Sequence, residues 1–299
     1  MTPEIRPATP ADLEHVYDVW LDAEIASADQ PERRPPPRDP PALLRHELKT
    51  GRMLVAELHG RIVGFTALIT RRPVYFLAEL YVRREHQSKS IGRKLLEQVL
   101  PQDGPATVCT LSSDDERALA LYVRHSMQPH WPYFYLRAGA ADLGSCPEPD
   151  IEVVEAQPGD PNLINWDRGI CGRERPEDHA HWANNADAIP LWFRRGIHTA
   201  GYGYVQMRSE ESLWYPDAIT IGPIGVRTIE DAGLCALSAV AWARDRAAML
   251  RIGVPGAHPA LAPLLEAGFR ITDVDIFVCR GAGMFVDPRR YIPSGGALF

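Results

Sequence analysis

No apolar run in the 299 residues approaches the roughly 18–20 that a membrane-spanning helix needs, so a transmembrane segment is not expected. The opening MTPEIRPATP has no basic stretch followed by an apolar core either, which argues against a secretory signal and makes a cytoplasmic chain the expectation. Cysteine is scarce and scattered. Cys109, Cys146, Cys171, Cys235 and Cys279 show no paired C-x-x-C spacing, so neither a disulfide framework nor a zinc site is suggested, and each reads as a small buried hydrophobe. An excess of positive charge is also missing: the formal net charge of −7 argues against a nucleic-acid partner and favours attraction of cationic acceptors. The closest histidine pair, His179 and His181, stands without a further ligand cluster, so no metal is expected. With 45% apolar and 24% charged residues the chain has the composition of a folded globular protein, and its length suits two domains.

The most informative segment is 78–100. Leu80 and Val82 alternate with Glu79, Tyr81 and Arg83 as a half-buried strand does, and Ile91, Leu95, Leu96 and Val99 recur at helical spacing immediately afterwards. Between them runs Gln87-Ser88-Lys89-Ser90-Ile91-Gly92. Small residues in such a turn let backbone N–H groups point inward, and the first-turn N–H groups of the following helix have no intrahelical partner and point the same way. A phosphate on that axis gains hydrogen bonds and the positive end of the helix dipole.

Downstream, residues 106–111 form a short β-branched run that predicts a strand, and 115–122 predict an amphipathic helix carrying Asp115, Ala118 and Tyr122. The two motifs, in this order, resemble the signatures of the GNAT superfamily of acyl-CoA-dependent N-acyltransferases. In that family a Gln/Arg-x-x-Gly-x-Gly/Ala turn cradles the pyrophosphate of coenzyme A, and a later helix reads Asn-x-x-Ala-x-x-x-Tyr. Ser90 replaces the middle glycine here, and Asp115 the asparagine. The resemblance implies acetyl-CoA as acyl donor, held by Gln87, Ser88, Lys89, Ser90, Ile91, Gly92 and Arg93, with Asp115 close by. It implies that the strand splays, so that the backbone of Leu80, Tyr81 and Val82 bonds the pantetheine arm and polarises the thioester carbonyl. It also implies Tyr122 as the acid that protonates the leaving thiolate, and Glu79 as the base that takes the amine proton directly or through a water. Read from the residues alone, Tyr122 is first of all a core tyrosine, and Glu79 is equally a solvated strand carboxylate.

The rest of the chain fits the same plan, read twice. Residues 4–8 predict a strand, 10–26 and 41–49 helices, and 53–58 and 62–70 a hairpin about His59-Gly60, followed by strands at 74–82 and 131–137. The order covers a GNAT domain over 1–140. A Gly/Pro/Asp-rich segment, 141–150, reads as a linker. Strands at 151–155, 199–207, 217–226, 250–254 and 270–279, with helices at 229–244 and 259–267, then repeat the order over 151–299. Leu264 takes the place of Tyr122 in this copy, and Gly222-Pro223-Ile224-Gly225 makes a poor phosphate turn, because proline removes a donor. The expected class is therefore mixed α/β, two tandem GNAT-like domains, each a central mixed β-sheet flanked by helices, with the C-terminal copy degenerate.

Residues 29–41, with six prolines, predict a semi-rigid segment that is a wall of the acceptor pocket, a plain surface spacer or a PxxP-type site for a partner. Trp131, Tyr133 and Tyr135 share one strand face, as an acceptor slot or as core. The expected activity is transfer of an acetyl group from acetyl-CoA to a small-molecule or peptide amine by direct attack, with no covalent acyl-enzyme. The rival from another class is a non-catalytic protein that binds acyl-CoA or another small molecule.

Overall fold

The computed structural model describes residues 3–27, 39–101, 106–144, 150–208, 215, 217–281 and 283–299. The elements run β1 (Glu4–Pro7), α1 (Leu13–Ser27), α2 (Ala42–Thr50), β2 (Gly51–Leu58), β3 (Arg61–Arg71), β4 (Val74–Val82), α3 (Ile91–Val99), β5 (Thr107–Ser112), α4 (Glu116–Arg124) and β6 (Gln128–Gly139) in the first half. The second half holds β7 (Glu152–Glu155), α5 (Pro161–Cys171), α6 (Pro176–Asn185), β8 (Ala188–Arg195), β9 (His198–Gln206), β10 (Ile219–Val226), α7 (Ile229–Arg244), β11 (Met249–Pro255), α8 (Leu261–Glu266), β12 (Arg270–Arg280) and β13 (Tyr291–Ile292). Most of 29–41 and Cys146 lie outside the described residues.

Local chemistry explains several boundaries. The β2–β3 hairpin turns at His59 and Gly60, both at positive φ (53° and 74°), which matches the twist of the flanking strands. Asp160 caps α5 by accepting from Asn162 N–H, with Pro161 at its first position. Strand β2 is buried on both faces: Leu54 and Ala56 meet α3, whereas Met53 and Val55 meet α1 and α2. Residues Ile91, Leu95, Leu96 and Val99 put the apolar stripe of α3 into this core. Each such side chain contributes about 1.5–3 kcal/mol.

Among the described residues thirteen strands form one sheet, ordered β1-β2-β3-β4-β5-β12-β6-β11-β10-β9-β8-β7, with β13 added to β10. The mixed α/β class with flanking helices is as expected, and the sheets of the two halves are joined. The joint is an exchange. Strand β12 of the second half lies against β5 of the first, Val278 opposite Thr110, while β6 of the first half lies against β11 of the second, Leu136 opposite Ile252. The two exchanged strands also pair with each other from Arg270–Arg137 to Cys279–Gln128.

Buried ion pairs add to the joint. Arg71 on β3 donates through Nε to Asp178 on α6 at 2.9 Å, and His46 Nε2 meets the same carboxylate at 2.8 Å. Burial pushes the Asp178 carboxyl up, but the hydrogen bonds from His46 and Arg71 outweigh it and hold the group well below the usual carboxylate range. His179 and His181 lie on α6. His179 meets Tyr204 and Asp167, and His181 stacks on His46. Among the described residues no group of three or more His, Cys, Asp or Glu is gathered to hold a metal, and no helix is long and apolar enough to cross a membrane.

Candidate active site

The site starts where two parallel strands part. Pairing between β4 and β5 runs Val74–Thr107, Tyr75–Val108 and Phe76–Cys109, and goes no further. Thr110 Oγ1 donates to Leu77 O at 2.6 Å, occupying the crotch of the fork. Strand β4 continues against β3 alone as far as Val82–Gly64, with a bulge at Ala78 between the pairs Leu77–Leu68 and Glu79–Ala67. Among the described residues one edge of β4 is therefore open.

Arg83 N–H donates to Val63 O at 2.9 Å, and antiparallel neighbours alternate between pairs that exchange both bonds and pairs that exchange none. Counted back along the register, Tyr81 bonds to β3, whereas Leu80 and Val82 turn their N–H and C=O groups to the open edge. Val82 O there accepts from Gln87 Nε2 at 3.1 Å. Tyr81 thus departs from the expectation of a backbone contact to a ligand: its amide is spent on Phe65, and its hydroxyl donates to Glu24 at 3.2 Å.

The open edge leads into the turn. Ser88 and Ser90 both have positive φ (59° and 63°), so the serine that replaces a glycine holds a backbone conformation glycine prefers. The first internal bond of α3 is Lys94 N–H to Ser90 O, which leaves the amides of Ile91, Gly92 and Arg93 without intrahelical partners. There is no acidic residue in the first turn of α3. A Cβ on Gly92 would meet Val82 Cγ2 at 3.7 Å, an ordinary contact, so the fold itself tolerates a side chain there. Arg93 is exposed beside Glu97, and Lys89 Nζ donates to Glu85 O at 2.7 Å.

Asp115 caps α4, accepting from Arg117 N–H at 2.9 Å, and also takes both ends of the Arg117 guanidinium. The hydrogen bond from Arg117 holds its carboxyl below the usual range. Arg117 in turn donates to Gln87 Oε1 at 3.1 Å, which ties the two motifs together. Sequence reasoning missed Arg117, although its place two residues after the cap was a usable signal. Turn amides, a helix N-terminus and nearby Lys89 and Arg117 suit a pyrophosphate, and the outward amides of Leu80 and Val82 suit an extended amide-bearing arm.

Tyr122 is buried against Leu77, Val108, Met127 and Val278. Burial pushes its phenol well above the ordinary value, and the charges of Asp275, Glu79 and Asp115 push it further, so it keeps its proton across the physiological range. Glu79, also buried, is brought to the same place by the bulge. Its charge acts on both Tyr81 and Tyr122.

The strand exchange adds a group that sequence reasoning missed. Asp275 on β12 accepts from Tyr135 at 2.8 Å, and burial raises its carboxyl to about 6. Asp273, Glu24 and Asp114 all add to that rise, and burial also raises Glu24 and Asp273. The aromatic stripe divides its work. Trp131 stacks on Phe277 at 4.4 Å and Tyr133 is fully buried, which makes both of them core, while Tyr135 holds Asp275.

One segment of the sequence and the fold as a whole have known counterparts. Residues 16–127 match the Acetyltransferase (GNAT) family. No curated protein matches the chain by sequence. A crystal structure of a putative acetyltransferase from Pyrococcus horikoshii aligns over 100% of this chain and 96% of its own, with a TM-score of 0.76 and 18% identity. An N-acetyltransferase from Sphaerobacter thermophilus aligns over 95% and 98%, at 0.65 and 15%. A tandem GNAT protein of the clavulanic acid biosynthesis pathway aligns over 94% and 99%, at 0.59 and 17%. At these identities the structures speak for the fold alone: residues 16–127 carry the sequence match to the GNAT acetyltransferase family, and the chain shares its fold with a tandem GNAT protein.

Proposed function

We propose that the chain is an N-acetyltransferase that moves an acetyl group from acetyl-CoA to a cationic amine by direct attack in a ternary complex. The observation that carries this reading is the fork itself: an open edge with two outward amides, leading into a helix start whose first three amides have no intrahelical partner. In this reading residues 1–140 hold the reacting groups and 151–299 form a non-catalytic partner, joined through 141–150, that lends Asp275. A cytoplasmic location, where acetyl-CoA is at hand, belongs to the same reading.

Turn amides and the α3 N-terminus hold the pyrophosphate, and Leu80 and Val82 hold the pantetheine arm. Acceptor and thioester then lie side by side, which supplies proximity. Glu79 takes a proton from the ammonium, directly or through a water. The free amine nitrogen attacks the thioester carbon, and backbone N–H groups of β4 stabilise the tetrahedral oxyanion. The oxyanion collapses with cleavage of the C–S bond. Tyr122 gives its proton to the thiolate sulfur, the nitrogen sheds its second proton to solvent, Tyr122 regains one from solvent and Glu79 releases the one it took, leaving a neutral amide and free coenzyme A. Asp275, Glu24 and Asp273 draw the cationic acceptor to the opposite mouth of the fork.

The test is calorimetric titration of acetyl-CoA, followed by thiol release with a panel of diamines, amino sugars, amino acids and peptides. Saturable binding that Gly92→Trp abolishes, together with turnover on a cationic amine, is expected. Binding indifferent to Gly92→Trp would remove the site from the turn, and binding without turnover on any amine would make the chain a sensor or carrier.

A further inference from the structure

The second half contains a second fork. Parallel pairing of β10 with β11 runs Ile219–Leu250, Thr220–Arg251 and Ile221–Ile252 and then stops, while β9 stays with β10 as far as Val226–Gly201, past a register shift between Ile221 and Ile224. That is the plan of β4 and β5, with Ile224 and Val226 in the places of Leu80 and Val82. Here the edge is filled. Strand β13 pairs with it, Ile292 opposite Ile224 and Tyr291 opposite Gly225, and Val226 N–H donates to Arg290 O at 3.0 Å.

The filling continues on both sides of those pairs. Gln206 Nε2 clamps Gly222 O at 3.0 Å and Ser294 O at 2.9 Å, and a Cβ on Gly222 would run into the Pro293 carbonyl. Tyr291 and Ile292 are fully buried, and Arg175 Nη2 donates to the Tyr291 hydroxyl at 2.6 Å. Beyond them the ring of Phe299 stacks on Phe277 at 4.9 Å and on Phe76 at 5.6 Å. The phosphate end is also closed. Only Arg227 and Thr228 separate β10 from α7, where residues 83–90 separate β4 from α3, and the first turn of α7 carries Glu230 and Asp231. Two carboxylates at a helix N-terminus already use the dipole and repel a phosphate.

We propose that residues 290–299 are the resident occupant of the second fork, a peptide added as a strand where a pantetheine arm would lie, so that each chain holds one acyl-CoA, at the first fork. Strand addition supplies the affinity, because backbone bonds satisfy the amides of the parted strand. The count of one rests on the function proposed above, whereas the occupancy of the second fork does not.

Amide hydrogen exchange on the whole chain, with and without acetyl-CoA, together with the titration, tests both parts. In the free protein slow exchange is expected at Ile224 and Val226 and fast exchange at Leu80 and Val82. Acetyl-CoA should slow residues 80–93 only, with one equivalent bound. Fast exchange at Ile224 and Val226 in the free protein, a second bound equivalent, or slowing at 222–229 with faster exchange at 290–294 would each overturn the proposal. Failure of acetyl-CoA to bind at all would defeat the proposed function, and exchange at Ile224 and Val226 would still decide whether the fork is occupied. Ile292→Pro, which removes a ladder donor, should speed exchange at those two amides in a chain that keeps its circular dichroism spectrum. Unchanged exchange there would count against the tail as occupant.

Discussion

The forks at β4/β5 and β10/β11 are built alike and end differently. Both arise because a parallel pair parts after three residues while the outer antiparallel neighbour stays paired past a shift of register. At the first fork the free amides face an open edge and a turn of small residues; at the second they face β13, and a two-residue link runs straight into an acidic helix start. The parting of strands is thus a property of the fold, while ligand binding depends on what is placed at the open edge. A repeated architecture need not repeat a site.

Substitution at the paired positions Tyr122 and Leu264 should separate the halves most sharply. Tyr122→Phe is expected to lower kcat by about 10²–10⁴-fold with little change in acetyl-CoA affinity, as loss of a general acid does. Leu264→Ala, in a fully buried site, should cost about 2–5 kcal/mol of stability and leave kcat per folded molecule unchanged. Steady-state thiol release and denaturant unfolding read the two effects. If Leu264→Ala were the variant to abolish turnover, the roles assigned to the halves would be reversed.

The tie between the halves comes next in size. Arg71→Met takes the guanidinium hydrogen bonds from the buried Asp178 carboxylate, and a broken buried pair costs about 3–5 kcal/mol. Urea unfolding should show the loss in a single transition common to both halves. Two separated transitions would mean that they unfold independently.

Asp275→Asn asks whether the second half serves the first site. It should raise KM for a cationic amine about tenfold, roughly 1.4 kcal/mol, with a smaller change in kcat. Because Asp275 is neutral below about pH 6, wild-type KM should rise as pH falls through that value, and the variant should lose this dependence. The raised value also means that folding favours the neutral carboxyl: its contribution to stability is full below the unfolded carboxyl range and is lost as pH rises through about 6. Thermal melts should therefore show Asp275→Asn gaining on the wild type at pH 8 relative to pH 5.

Ser90→Gly is the smallest change. A non-glycine residue in the left-handed region costs about 1–2 kcal/mol, offset in part by the entropy glycine loses on folding. A net gain of about 1 kcal/mol or less is expected, with acetyl-CoA binding equal or tighter by calorimetry. Weaker binding would show that the serine hydroxyl itself contacts the cofactor.

Much of this was legible in local pattern. Val74–Val82 and Ile229–Arg244 occur as strand and helix with the predicted bounds, the hairpin turns at His59-Gly60, and the α3 stripe is buried as its spacing requires. Helices α5 and α6 were passed over, although Asp160-Pro161 is a cap followed by a proline at the first helical position and Pro176 opens the next helix. What no local pattern carries is pairing between distant segments. The exchange of β6 and β12, the arrival of Asp275 beside Tyr122 and the filling of the second fork by β13 all join residues far apart in sequence. Tyr81 shows a subtler limit. Alternation told which face its side chain takes, but the amide direction depends on which pairs of the β3–β4 ladder are bonded.

The exchanged strands also govern when a newly made chain can work. Strand β5 is finished at Ser112, yet its partner β12 ends at Arg280, so the first half cannot close its sheet while the ribosome is still reading the second. Contacts of such long sequence separation form late, and until then the edges of β5 and β6 stay bare and open to pairing with another chain. The part of the fork that carries Asp275 is therefore made long after the turn at 87–92, and a chain interrupted between them would hold the turn without that carboxylate.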